Sequence, residues 1–175
     1  MISCSVNKST LRYYLSLGSN INRRAHLTAA VGFLRAAFHE VELSPVYRSA
    51  AFGFDGPDFY NMVVAFDSAF APLALKKWTR ELECSFGRTV QQDRFSNRFL
   101  DIDMLLAGRQ ISGDKNLKLP RPELMKRAYV LKPLVDLAPN LRHPQNQLSM
   151  WILWENLAEK DQQSLTLVDT QGWFE

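Results

Sequence analysis

The order strand, helix, strand, strand, helix, strand along residues 11–106 predicts an α+β domain with a ferredoxin-like βαββαβ core. Such a core is a four-stranded antiparallel sheet with two helices on one face, followed here by a helical extension. Two segments repeat apolar residues at helical spacing. Four others are short and rich in aromatic or β-branched residues, and the last of them alternates with period two around Asp101-Ile102-Asp103. With 175 residues, 46% of them hydrophobic, the chain is long enough to bury a core as one domain over residues 1–175.

The first strand is expected at residues 11–17, LRYYLSL, and stops at Gly18-Ser19-Asn20. That trio offers a turn and a helix cap, since glycine tolerates unusual backbone angles and Ser or Asn accepts free N–H groups of a following helix. It fits either a plain strand-to-helix connection or a ligand-facing loop. The helix is predicted over residues 21–38, with Leu27, Val31, Leu34 and Phe38 on one face. A second strand follows at residues 41–49, where Pro45 signals an edge position or a bulge. Residues 50–59 then mix Gly, Pro and three Phe. Exposed aromatic rings need a cover, and either a flat ligand or the loop's own packing on the core supplies one.

The third strand is expected at residues 60–68. The second helix is expected at 72–86, with Pro72 in its first turn and Leu75, Trp78, Leu82 and Phe86 as its buried stripe. Beyond the Asp-bearing strand come Gly108, a polar loop at 112–118 and the triplet Pro120-Arg121-Pro122. A helix around 129–137 is interrupted at Pro133, and an amphipathic helix closes the pattern at 148–157.

The segment just before and within the fourth strand concentrates the chemistry. Leu100, Ile102, Met104 and Leu106 alternate with Asp101, Asp103 and Leu105, so both carboxylates leave one face, about 6.5–7 Å apart at the backbone. With no His or Cys between them, the pair suits Mg²⁺ better than Zn²⁺, because Mg²⁺ keeps waters and takes one or two carboxylates plus substrate phosphates. Arg88, Arg94 and Arg98 lie just upstream and offer cations to polyphosphate oxygens. The same pair of carboxylates also fits a strand whose outer face is merely solvated.

Charge and cysteine content narrow the classes. A net charge of +3 permits an anionic small molecule but is too slight for a nucleic-acid footprint. Two cysteines, Cys4 and Cys84, form no disulfide framework and no metal-ligand spacing, which points to a reducing, cytoplasmic compartment. No run approaches 18 apolar residues, and the N-terminus lacks a signal-peptide pattern. A monomer without a membrane partner is expected.

Taken together, these segments resemble the 6-hydroxymethyl-7,8-dihydropterin pyrophosphokinases, folate-pathway enzymes that move a diphosphate from ATP to a pterin alcohol. The resemblance spans residues 12–145. It is carried, in order, by YLSLGSN, VYRSAAFGFDGPDFYN, an E-x-x-x-G-R motif, R-x-x-D-I-D-M-L-L, and LPRPELMKRAYVLKPL. It implies that Asp101 and Asp103 hold two Mg²⁺ ions bridging ATP phosphates, with Arg88 and Arg98 on those phosphates. It further implies a pterin between the rings of Phe59 and Tyr129, with Gly18, Ser49, Phe52, Asn61 and Phe95 completing that pocket. Glu83, Arg94, Arg121 and Arg127 join Arg88 and Arg98 on the nucleotide side.

The chain departs from the family's pattern where nucleotide is gripped. Ser96-Asn97 replaces a Gly-Pro, Phe95 a Trp, Arg121 the His of a Pro-His-Pro triplet, and Val90 and Gln91 two basic residues, while Ser49-Ala50-Ala51 lacks a stiffening proline. Two lost phosphate contacts cost about 1–3 kcal/mol of ATP binding, and Arg121 is a fitting replacement partner for phosphate. These departures keep open a pterin- or nucleotide-binding paralogue without turnover. A ferredoxin-like RNA-binding module fits less well, because carboxylates on the sheet face repel a phosphate backbone.

Overall fold

The structure is a computed structural model that describes residues 10–88, 96–158, 162 and 164–175. Strand β1 (Leu11–Ser19) leads into helix α1 (Arg23–Ala37), two short strands β2 (Glu42–Leu43) and β3 (Tyr47–Ser49), and strand β4 (Phe59–Ser68). Helix α2 (Pro72–Ser85) precedes β5 (Asp101–Ala107). A small hairpin, β6 (Ser112–Gly113) with β7 (Lys118–Leu119), leads to a 3₁₀ turn at Pro122–Met125. Helices α3 (Ala128–Leu137) and α4 (Met150–Glu155) and strand β8 (Thr166–Leu167) complete the described chain.

The main sheet is antiparallel throughout, in the order β5-β1-β4-β3-β8, with β2 also pairing with β4. Among the described residues it therefore has six strands where four were expected, for two physical reasons. The anticipated second strand breaks in two at Ser44-Pro45: Pro45 cannot donate to a ladder, and the Ser44 hydroxyl accepts the Val63 N–H instead. Beyond β3, the chain returns at residues 166–168 to add β8 at the edge, with Val168 N–H donating to Val46 O.

Both faces of the sheet are buried: the core helices α1 and α2 share one face, as expected, and the C-terminal helices α3 and α4 cover the other. On one side Tyr13, Leu15, Leu17, Met62, Val64, Phe66, Ile102 and Met104 pack with Leu27, Val31 and Leu34 of α1 and Leu75 and Leu82 of α2. On the other, Tyr14, Val63, Ala65 and Leu105 pack with Val130, Leu131, Leu134 and Val135 of α3 and Met150 and Leu153 of α4. The strands therefore read as continuous apolar runs along much of their length, as double-sided burial requires. Leu106 joins this second cluster, not the face of Met104, because a bulge shifts the register of β1 and β5 between Tyr14 and Leu15.

Local boundaries also differ. β1 continues through Gly18 and Ser19, so Gly18 is a strand residue and no turn. The cap of α1 is Asn22, in the left-handed region at φ 44°, with no side-chain hydrogen bond; the side chains of Ser19 and Asn20 bond elsewhere. Pro133 lies inside α3 without ending it, while the helix expected at 148–157 is trimmed to Met150–Glu155, where the Ser149 hydroxyl accepts from Ile152 N–H. Among the described residues, no helix is long and apolar enough to cross a membrane.

Because α3 is the main cover of the second face, Leu134→Ala, at a fully buried position, should destabilise the protein by about 2–5 kcal/mol in urea unfolding.

Candidate functional site

The second face of the sheet changes character along its own strands. Under α3 it is apolar, at Tyr14, Val63, Ala65 and Leu105. Two and four residues further along the same alternation, it becomes Ser16 and Gly18 on β1, Asn61 on β4, and Asp103 and Asp101 on β5. Register sets these side by side: Gly18 is paired with both Asn61 and Asp101, and Ser16 with Asp103. This polar corner is the floor of a cleft of about 410 Å³, walled by the loop after β3 and by the approach to α3.

On the β5 side, each carboxylate meets a guanidinium. Arg88 donates to Asp101 at 3.0 Å and also pairs with Glu83, while Arg121 lies 2.7 Å from Asp103 and 3.5 Å from Glu123. Glu83 itself is buried and accepts the Ile102 N–H at 2.8 Å, so α2 is tied through one carboxylate to both Arg88 and β5. It stands behind Arg88 and is not among the residues that line the cleft. Burial pushes the Glu83 carboxyl up to about 7 despite the Ile102 N–H, and burial together with the Asp101 charge pushes Asp103 up to about 7 despite Arg121. The Asp101 charge adds to burial at both carboxyls.

Asp101 and Asp103 offer carboxylate oxygens only, and among the described residues no group of three or more His, Cys, Asp or Glu gathers as a protein-only metal cage. Two carboxylates with remaining positions left to phosphate and water are the donor set that suits Mg²⁺.

On the opposite side the cleft turns aromatic. Phe52, Phe54, Phe59 and Tyr129 line it, with Ser49 and Asn61 between them. Asn61 Nδ2 donates to Ser49 Oγ at 3.0 Å, which fixes its amide against β3. Gly18 makes that placement possible: a Cβ there would lie 3.3 Å from Asn61 Oδ1 and 3.7 Å from the Phe59 ring. Phe54 meets Phe59 edge-on, and the Arg127 guanidinium sits 3.6 Å over the Phe52 ring. Burial raises the pKa of the Tyr129 hydroxyl, which stays protonated at neutral pH.

Of the residues singled out in the sequence, Gly18, Ser49, Phe52, Phe59, Asn61, Arg88, Arg98, Asp101, Asp103, Arg121, Arg127 and Tyr129 all line this one cleft. Arg94 and Phe95, with Val90 and Gln91, lie outside the described residues. Phe54, one of the three Phe of residues 50–59, also lines the cleft, and Ser16, Glu123 and Val130 line it without having been singled out in the sequence. Ser16 was legible in principle, since it shares the alternation of Tyr14 and Gly18.

Asn20 was passed over as a cap and is a hub. Buried at 4% exposure, its Oδ1 accepts the Arg98 N–H at 2.6 Å, and its Nδ2 donates to Asn97 Oδ1 at 2.8 Å and Pro57 O at 3.2 Å. Its backbone N–H also donates to Arg98 O at 3.0 Å. One amide therefore joins the end of β1, the aromatic loop and the segment entering β5, which are the three pieces of backbone framing the cleft.

This site, a cleft with carboxylates and arginines at one end and aromatic rings at the other, defines a small-molecule-binding α+β protein. The chain belongs to the 7,8-dihydro-6-hydroxymethylpterin-pyrophosphokinase family, whose profile matches residues 14–139. It is 41% identical over 140 residues to the 2-amino-4-hydroxy-6-hydroxymethyldihydropteridine pyrophosphokinase of Pseudomonas aeruginosa, covering 78% of this chain and 86% of that one. Identity to the Aquifex aeolicus enzyme of the same name is 33% over 133 residues, covering 75% and 82%. Among solved structures, a triple mutant of the Plasmodium falciparum HPPK-DHPS protein with pteroate is similar in fold, at TM-score 0.70 and 13% identity. That match covers 93% of this chain and 47% of the other. This chain therefore spans about half of that longer protein.

Removing the hub should be felt at a distance. Asn20→Ala should cost on the order of 1–3 kcal/mol in chemical denaturation, and amide hydrogen exchange at Arg98 should accelerate because its acceptor is gone.

Proposed function

We propose that the protein transfers diphosphate from ATP to 6-hydroxymethyl-7,8-dihydropterin and releases AMP, as a step of folate biosynthesis. The observation that carries this reading is the two-ended cleft. A paired-carboxylate corner with arginines adjoins an aromatic and amide corner, so a polyphosphate and a flat heterocycle have room to meet in one space.

The aromatic end answers the chemistry of a pterin. Phe59 and Tyr129 supply ring faces, Asn61 and Ser49 supply amide and hydroxyl partners for its polar edge, and Gly18 leaves the floor clear for it. Phe52 closes the rim, and Phe95 belongs to this end by family resemblance. At the other end, Arg88, Arg98, Arg121 and Arg127 face the phosphates, with Arg94 assigned to the same group by resemblance and Glu83 holding Arg88 in place. Asp101 and Asp103 would hold two Mg²⁺ ions, whose chemistry is to neutralise phosphate charge and orient the oxygens.

The reaction then asks the chain mainly for position and fixed charge. The pterin hydroxyl oxygen attacks the β-phosphorus of ATP, the bond from that phosphorus to the oxygen bridging it to the α-phosphate breaks, the hydroxyl proton is released, and AMP leaves. Arg88 and Arg121 lie beside Asp101 and Asp103, at the end of the cleft where phosphate charge would develop. Arg121, where relatives in this family carry a histidine, adds a permanent cation.

Product identity separates this reaction from an ordinary kinase. With ATP, Mg²⁺ and the hydroxymethyl-dihydropterin, AMP and pterin diphosphate should form in equal amounts without ADP, and EDTA should stop both. If ATP and the pterin bind and no AMP appears, the chain is a binding paralogue. Asp101→Ala and Asp103→Ala should each lower kcat/KM by several kcal/mol of transition-state stabilisation, on the order of 2–4, while pterin affinity changes little. Phe59→Ala should weaken pterin binding by about 1–3 kcal/mol, measured by calorimetric titration.

A further inference from the structure

Residues 166–174 lie beyond the span matched by the family profile, yet they pack against the back of the aromatic end of the cleft. Strand β8 hydrogen-bonds along β3, pairing Tyr47 with Leu167 and Arg48 with Thr166. The chain then turns so that the Trp173 ring lies 5.8 Å from the Tyr60 ring, with the Arg24 guanidinium 5.3 Å over Trp173. Phe174 packs against the core and its carbonyl accepts a hydrogen bond from Arg35.

Tyr60 is the link to the site. It follows Phe59 on β4, and successive residues of a strand face opposite ways, so Tyr60 points to the α1 side while Phe59 points into the cleft. Arg23 sits 4.1 Å over the Tyr60 ring and donates to Asp58 O at 3.0 Å; Arg48 approaches the Asp58 carboxylate at 3.7 Å. Both chain neighbours of Phe59 are thereby held from behind, Tyr60 by Trp173 and Arg23, Asp58 by Arg23 and Arg48. Arg48 is itself on the strand that β8 extends. The hydrogen bonds and ring contacts of this segment go to β3, Val46, Tyr60, Arg24 and Arg35, on the side of the aromatic end of the cleft.

We propose that residues 166–174, through Trp173, act as a positioning strut that fixes the start of β4 and so sets the Phe59 ring for the pterin. The assignment of Phe59 to the pterin rests on the proposed function above; the strut itself does not. Its test therefore reads both the ligand and the backbone. In the full chain, Trp173→Ala should raise the Kd for hydroxymethyl-dihydropterin on the order of tenfold and leave the Kd for Mg²⁺-ATP within about twofold. Amide hydrogen exchange should speed up over residues 58–60 and stay unchanged over 101–103. Trp173→Phe, which keeps a ring against Tyr60, should restore both readings.

Equal weakening of both ligands, or faster exchange at both places, would mean that Trp173 only stabilises the fold. Unchanged pterin affinity together with unchanged exchange over residues 58–60 overturns the strut. If the wild-type protein binds no pterin, the functional reading fails, and exchange at residues 58–60 alone still decides whether the strut exists.

Discussion

Asp101 and Asp103 leave one face of one strand two residues apart, and much of the cleft follows from keeping that charge tolerable. Arg88 and Arg121 each take one carboxylate, and Arg88 is in turn anchored by the buried Glu83, whose other partner is the backbone of β5 itself. The charges are fixed to secondary structure at several points: β5 supplies the two Asp, the end of α2 supplies Glu83, and the turn before α3 supplies Arg121. Truncating one member of so interlocked a set leaves its partner unpaired in a partly buried place, which is the costly way to lose an ion pair.

The boundary between core and site is a line drawn across the sheet, with no change of fold on either side. Along β1 the outward-facing series runs Tyr14, Ser16, Gly18; along β4, Ala65, Val63, Asn61; along β5, Leu105, Asp103, Asp101. Helix α3 covers the apolar part and stops where the polar part begins, with Tyr129 and Val130 at its start facing the cleft. The site is therefore built on paired strands, whose rigidity holds small groups in register better than loops do.

Much of this was legible in the sequence because it is written in short-range periodicity. The apolar spacing of Leu27, Val31 and Leu34 and the alternation around Asp101 and Asp103 each lie within one element, and each appeared where expected. Long-range facts were not legible. Nothing local to Asn20 says that its amide meets Arg98 and Pro57, 78 and 37 residues away, and a Ser-Asn pair before a helix reads first as a cap. Double-sided burial of the sheet is hidden for a related reason: a strand is expected at residues 60–68, but which helices cover its second face depends on residues after 128. The bulge at Tyr14/Leu15 moved Leu106 to the other face, which a strict period of two cannot express.

Double-sided burial has a consequence for the chain as it is made. Residues 62–66 of β4, Met-Val-Val-Ala-Phe, are all fully buried in the folded state and carry no charge, proline or glycine. Such a stretch pairs readily with copies of itself when exposed. β1 on one side and β2 and β3 on the other are synthesised before it, and α1 with them, so both flanks and one face find cover early. The other face waits for α3, more than sixty residues later in the chain. Between those two moments the nascent chain displays Val63 and Ala65 to solvent, making the emergence of α3 the step at which the newly made protein ceases to be prone to self-association.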